Sequence, residues 1–137
     1  MTRLAVVDAG PLYAAADADD QDHASCVQTL LREDLRLLVP ALAVAEATYF
    51  VARRLGADAE SRFLEGLAPL EVEGPSAEDL TRMAELVKQY SGFPLGGTDA
   101  SLIALAERLD APTIVTLDRR HFAAVRPRHR DAFELLP

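Results

Sequence analysis

Four carboxylates in this chain stand where a carboxylate is either a local structural device or part of a reactive site. Asp8 closes the apolar run LAVVD, and Asp118 closes TIVTLD. Asp99 opens the helical stretch DASLIALAERL directly behind Thr98, and Glu46 interrupts the otherwise apolar ALAVAEATYFVARRL. Three Asp and one Glu, with a single cysteine and few histidines for competition, are hard oxygen donors. They suit Mg²⁺ or Mn²⁺, which prefer carboxylate and water and retain water for chemistry. Carboxylate clusters of this kind hold one or two such ions in many nucleases, where the ions activate water and stabilise a leaving oxygen.

Each acid also has a plainer reading. Asp8, in DAGP, can cap the turn that begins at Pro11, and Asp118 can cap a short helix after it. Asp99 can be a favourable charge at the positive end of its helix. Glu46 is harder to dismiss, because its neighbours at i−4, i+3 and i+4 are Leu42, Tyr49 and Phe50. On that face it is expected to be buried. An unpaired buried carboxylate costs several kcal/mol and demands a partner. The plain alternative is a Glu on a narrow solvent stripe.

The elements that must position these acids follow from periodicity and punctuation. LAVVD reads as a strand buried on both faces, and Pro11 suits the first turn of a short helix. A helix is predicted from about His23 to Arg32 behind Asp22, then a strand over Leu35–Val39. The long helix with Glu46 follows and is stopped by Gly56. A helix over Ala59–Leu67 and a strand over Leu70–Glu73 come next. Ser76 and Asp79 form a capping-box pattern for a helix reaching Tyr90. After the loop SGFPLGG, Thr98 is predicted to cap the helix Asp99–Leu109. PTIVTL is the next strand, a short helix lies near Arg119–Val125, and a last strand near Phe133–Leu136. Strands alternating with helices imply βαβ units in one mostly parallel sheet flanked by helices. Ligands bind outside the carboxyl ends of such strands, which is where Asp8 and Asp118 fall.

With 137 residues, half of them hydrophobic and 26% charged, the chain reads as a single globular domain over 1–137. Cys26 alone permits neither an intrachain disulfide nor a Cys-based zinc site. MTRLAVVD reaches a carboxylate too soon for a signal-peptide core. The run Leu37–Ala52 falls short of the ~20 apolar residues of a membrane span. A soluble, cytoplasmic protein without a membrane partner is the expectation. A net charge of −8 opposes nucleic-acid binding. Its distribution softens that opposition: between Asp118 and Arg130 five arginines and two histidines face one acid. Arg119 and Arg120, with Arg126 and Arg128, are candidates for RNA phosphates, against the alternative of salt bridges to the acidic segments. A phosphoaspartyl phosphatase would want a second acid where Gly10 stands, and the glycines of GGT lack the lysine of a P-loop.

The segments VVDAGPLYAA, VPALAVAEATYFVARRLG, GGTDASLIALAERL and TIVTLDRRHF resemble, in order, those of PIN-domain ribonucleases of the VapC toxin type. The resemblance implies a PIN-like α/β/α sandwich, with Asp8, Glu46, Asp99 and Asp118 as an acidic metal cluster for Mg²⁺ or Mn²⁺. It implies endoribonuclease action on structured RNA (tRNA or ribosomal RNA), inhibition by a small cognate antitoxin, and a homodimer. In such a site Asp8 would anchor the principal ion, Glu46 and Asp99 would complete its shell, and Asp118 would hold a second ion or the attacking water. Many relatives place Thr or Ser after the first Asp, whereas Ala9 and Gly10 follow here. That leaves Thr116, on the side of Asp118, and Thr98, beside Asp99, as the supporting hydroxyls. A non-catalytic PIN-like binding module is the rival, disfavoured because all four acids are present.

Overall fold

A computed structural model describes residues 2–137. Five strands, β1 (Arg3–Val7), β2 (Leu35–Pro40), β3 (Glu71–Glu73), β4 (Thr113–Val115) and β5 (Glu134–Leu136), form one sheet in the order β3-β2-β1-β4-β5. Every pairing is parallel. Ala5, Val6 and Val7 are all fully buried, as are Ile114 and Val115. Consecutive buried residues in a strand mean that both sheet faces are covered, which parallel sheets require.

Seven helices supply the cover: α1 (Ala9–Ala16), α2 (His23–Leu30), α3 (Ala41–Leu55), α4 (Ala57–Leu67), α5 (Ala77–Gln89), α6 (Gly97–Arg108) and α7 (Arg119–Ala124). The fold is α/β with an all-parallel sheet, as the alternation of elements predicts. The chain builds outward from β1 to β2 and β3, then returns to the other side of β1 for β4 and β5. Strand order therefore reverses between β1 and β4, and the carboxyl ends of those two strands flank a topological switch point.

α6 is the innermost helix. Ala100 to Ala106 are buried without a break, and α6 packs on α5 and touches β1, β2 and β4. Its small residues on every side let it lie close to the sheet. It starts two residues earlier than predicted, at Gly97 with Gly96 as N-cap, so Thr98 lies inside the first turn and does not cap. The Thr98 carbonyl instead accepts a hydrogen bond from the Ser101 hydroxyl at 2.6 Å.

The capping box at the start of α5 forms as the sequence indicates. The Asp79 N–H donates to Ser76 Oγ at 3.0 Å, and the Ser76 N–H donates to Asp79 Oδ2 at 3.1 Å. Arg108, at the end of α6, adds hydrogen bonds to both Asp79 oxygens. Burial alone would raise the Asp79 carboxyl, but these bonds and the Arg108 charge hold it below the usual range. Beside it Arg82 pairs with Glu107 at 2.7 Å, both mostly buried. These two ion pairs fasten α5 to α6.

Beside the central sheet, a groove of about 410 Å³ opens between α1, α2, α4 and β2, lined by Leu12, Leu30, Leu37, Phe63 and Leu67. Leu31 stands at its rim, 75% exposed. No described helix is long and apolar enough to cross a membrane. Asp79→Asn is expected to destabilise the fold by about 2 kcal/mol, because it removes the buried charge partner of Arg108, leaving only the more exposed Glu73 at 3.6 Å, and weakens the cap. Urea denaturation at neutral pH measures the loss, and an unchanged midpoint would refute this role for the pair.

Candidate active site

Parallel register brings the first and last acids together. Val7 pairs with Val115 across β1 and β4, so Asp8 leaves the sheet edge beside the segment that carries Thr116 and Asp118. The Asp8 N–H donates to the Val115 carbonyl at 2.9 Å and closes the ladder. The Asp8 side chain is only 7% exposed. Its Oδ1 accepts from the Ala9 N–H at 2.8 Å, and its Oδ2 accepts from the Thr116 hydroxyl at 2.8 Å. Thr116 Oγ1 in turn accepts from the Asp118 N–H at 2.9 Å. One buried hydroxyl thus fixes both the orientation of Asp8 and the turn that delivers Asp118. The hydroxyl absent after Asp8 in sequence is supplied from β4's far end, and it serves Asp8 directly.

Asp118 sits three residues beyond β4, half-buried, and its Oδ1 accepts from the His121 N–H at 3.4 Å. Capping and site membership are therefore the same placement for both Asp8 and Asp118, not rival ones. The His121 ring is wedged between two acids. Its Nδ1 lies against Asp118 Oδ2 and 3.4 Å from Asp99 Oδ2, without the in-plane geometry of a hydrogen bond. Its edge meets Phe93 at 5.3 Å between ring centres. Sequence reasoning did not single out His121 as part of the site. Its spacing three residues from a capping Asp was the signal that it could also face the acids.

Asp99 is mostly buried on the first turn of α6. Burial, with the charge of Asp8 close by, holds its carboxyl up at about 6, against the opposing pull of His121. Burial raises the Asp8 carboxyl too, over the opposing hydrogen bonds from Thr116 and Ala9.

Glu46 corrects an expectation. It is exposed, not buried, because the core face of α3 is the small-residue line Ala43, Ala47 and Val51. Of Glu46's large apolar neighbours, Leu42 and Phe50 are only partly buried and Tyr49 is 54% exposed. A large apolar residue on a helix does not identify the buried face when alanines fit closer to the sheet. Even so, Glu46 is crowded enough that partial burial and the charge of Asp8 raise its carboxyl.

The basic stretch after Asp118 is partly engaged in holding the chain. Arg119 Nη1 donates to the Leu135 and Pro137 carbonyls at 3.3 and 2.9 Å. Arg128 pairs with Glu85 at 2.8 Å, and its N–H donates to Glu107. Arg120 and Arg126 are exposed. For Arg128 the salt-bridge alternative is the one observed.

Among the described residues, no three His, Cys, Asp or Glu side chains converge as they stand to grip one ion. The donor set nevertheless fits a hard cation. Its members are carboxylate oxygens, and Asp8, Asp99 and Glu46 are all pushed upward by burial, with the charge of Asp118 adding at Asp8 and that of Asp8 adding at Asp99 and Glu46. A divalent cation reverses that balance.

The profile of the PIN domain matches residues 5–126. This chain belongs to the PIN-domain family. It is 37% identical over 134 residues to ribonuclease VapC26 of Mycobacterium tuberculosis (strain ATCC 25618 / H37Rv), an alignment covering 96% of this PIN domain chain and 99% of that protein. Two solved structures share the fold. VapC20 of M. tuberculosis, a sarcin–ricin loop cleaving toxin, superposes with a TM-score of 0.73 at 16% identity, over 80% of this chain and 86% of its own. VapBC2 of Rickettsia felis, bound to a DNA fragment from its promoter, superposes with a TM-score of 0.71 at 19% identity, over 96% of each chain. The chain is a homologue of VapC ribonuclease toxins, and its PIN domain is of a family of nucleases that generally depend on divalent metals.

The raised carboxyls carry a pH signature. A carboxyl whose folded pKa exceeds its unfolded value binds more protons when folded. Stability is therefore greatest below about 4 on this account and is lost as pH rises through about 6. In EDTA, Asp99→Asn is expected to stabilise this PIN domain at pH 7.5 by about 2 kcal/mol and to make the decline over that window shallower. Urea titrations at a series of pH values decide it, and a variant less stable than wild type at pH 7.5 would contradict the repulsion.

Proposed function

We propose that this PIN domain is a metal-dependent endoribonuclease toxin that cleaves structured RNA by phosphodiester hydrolysis. What supports the reading is the PIN-family match together with acids near the carboxyl edge of the sheet, close enough for the charge of Asp8 to raise both Asp99 and Glu46. Bound Mg²⁺ or Mn²⁺ would supply an activated water and stabilisation of the leaving oxygen.

The residues divide the work by their surroundings. Asp8 is immobilised at both oxygens, by the Ala9 N–H and the Thr116 hydroxyl, so it is the fixed ligand of the set. Asp99, with a pKa of about 6, carries a proton part of the time near neutrality and becomes a ligand by releasing it. Glu46 reaches the site from the solvent side and closes the shell directly or through water. Asp118, turned outward and paired with His121, is placed to orient the attacking water or a second ion. Thr98, in the first turn of α6 beside Asp99, has no hydrogen bond to the acids, which leaves Thr116 as the supporting hydroxyl. Arg120, exposed on α7 next to Asp118, and the exposed Arg126 are the candidates in the basic stretch to meet phosphate, while Arg119 is already engaged.

Incubating structured RNA with Mn²⁺ tests the proposal. Wild type is expected to cleave and to fall silent in EDTA. Asp8→Asn and Asp99→Asn are expected to lose at least about a hundredfold in rate, the scale of losing a principal electrostatic contact. Equal cleavage by all three proteins would sink the metal-cluster reading. A calorimetric titration with Mn²⁺ that shows no carboxylate-dependent binding would favour a non-catalytic module.

The relatives solved as toxin–antitoxin complexes, from Klebsiella pneumoniae and Salmonella typhimurium among others, support an antitoxin partner for this chain. The apolar groove under α4 is the feature suited to it. It contains none of the four acids and could seat the apolar face of an amphipathic helix. Leu31→Asp is expected to leave cleavage intact and to weaken inhibition by the partner from the adjoining reading frame at least about tenfold, the scale of one lost apolar anchor. Inhibition curves that superpose for the two proteins would exclude the groove as the seat. A homodimer is the assembly expected for the toxin, and its mass in solution tests that.

A further inference from the structure

Beyond the acid cluster, α3 carries an unexplained combination of side chains. From Glu46 the positions i+3 and i+7 are Tyr49 and Arg53, so the three lie on one outer stripe of the helix. It runs from the acids for about 10 Å along the axis. Tyr49 is 54% exposed and Arg53 is exposed, with its guanidinium 5.6 Å from the Tyr49 ring centre. One position further round, Arg54 lies 4.9 Å from the Phe50 ring and 5.0 Å from that of Tyr13.

Six of the thirteen arginines are held differently. Arg3, Arg32, Arg36, Arg82, Arg108 and Arg128 all pair with carboxylates. Among the described residues Arg53 and Arg54 have no carboxylate partner, and their faces rest on aromatic rings. Arg53, exposed and resting on an exposed tyrosine along the stripe that starts at Glu46, is not part of a salt-bridged surface. An exposed aromatic ring with a stacked guanidinium is instead the arrangement that receives an unpaired base on the ring and its phosphate on the cation.

We propose that Tyr49 and Arg53, with Arg54, form a stacking platform for an unpaired nucleotide flanking the cleaved bond, and so select single-stranded positions in the substrate. This rests on the ribonuclease reading above. A polyanion is favoured over a second protein surface because both arginines without a salt bridge are positive and the exposed ring under Arg53 carries a hydroxyl. On that account the outer face of α3 is a subsite, and the basic stretch after Asp118 is not the main RNA contact.

The test uses the Asp8→Asn protein, which should bind without cleaving, and a fluorescein-labelled single-stranded oligoribonucleotide followed by anisotropy. Adding Tyr49→Ala is expected to weaken binding about tenfold, the scale of one lost base–aromatic stack, whereas Tyr49→Phe retains the affinity. Arg53→Ala is expected to lower the slope of log affinity against log salt by roughly 0.7, one phosphate contact on a single strand. Identical affinities and slopes in all these proteins, with wild type still cleaving, would overturn the platform and leave the ribonuclease reading standing. Absence of both binding by Asp8→Asn and cleavage by wild type would overturn both. A shift in light-scattering mass on Tyr49→Ala at unaltered RNA affinity would assign the face to a second copy of the chain, against the proposal.

Discussion

Negative charge gathered at one edge of a buried sheet opposes its own assembly, and the rest of this molecule is arranged to hold it there. Asp8, Asp99 and Glu46 are each raised by burial or by a neighbouring carboxylate. No local preference of the chain would collect them. They meet because β1, β4 and the start of α6 have nowhere else to go once Ala5–Val7, Ile114–Val115 and Ala100–Ala106 are buried together. Apolar burial on the order of 25 cal/mol per Å² supplies the force, and the acids ride on the ends of the elements it fixes.

The opposing charge is met in two different ways within one fold. Around Asp79 and Glu107 the carboxylates have arginine partners and lie below their ordinary range, so that region contributes rigidity to α5 and α6. Around Asp8 and Asp99 no arginine intrudes, and only a hydroxyl, backbone N–H groups and one imidazole answer the charge. The contrast separates a structural acid cluster from a reactive one. An acid already neutralised by arginine has little left to offer a ligand, whereas one raised by its neighbours gains from any cation that arrives.

Much of this was readable in the residues, for identifiable reasons. Continuous apolar runs ended by Asp marked β1 and β4, and the Ser76–Asp79 spacing marked the start of α5, because strand burial and capping are local rules. Glu46 was misplaced because large apolar neighbours suggested a core face, while Ala43 and Ala47 were the residues small enough to reach it. Thr98 was taken for a cap, but Gly96 and Gly97 allow the helix to begin earlier. The partner of Thr116 could not be read from sequence at all: its hydrogen bond spans 108 positions, and only the reversal of strand order between β1 and β4 brings it to Asp8.

That same span governs when the site can exist during synthesis. Asp8 precedes Thr116 by 108 positions, so both the edge of β1 against β4 and the second oxygen of Asp8 stay unpartnered until Thr113–Thr116 has been made. Contacts so distant in sequence form late, since loop closure must precede them. A nascent or prematurely terminated chain lacking β4 therefore has three of the four acids and no fixed arrangement of them. For a protein proposed to cut RNA, this topology is a timing device: the acid cluster is completed only once β4 and Asp118 have followed the other three acids out of the machinery that is making them.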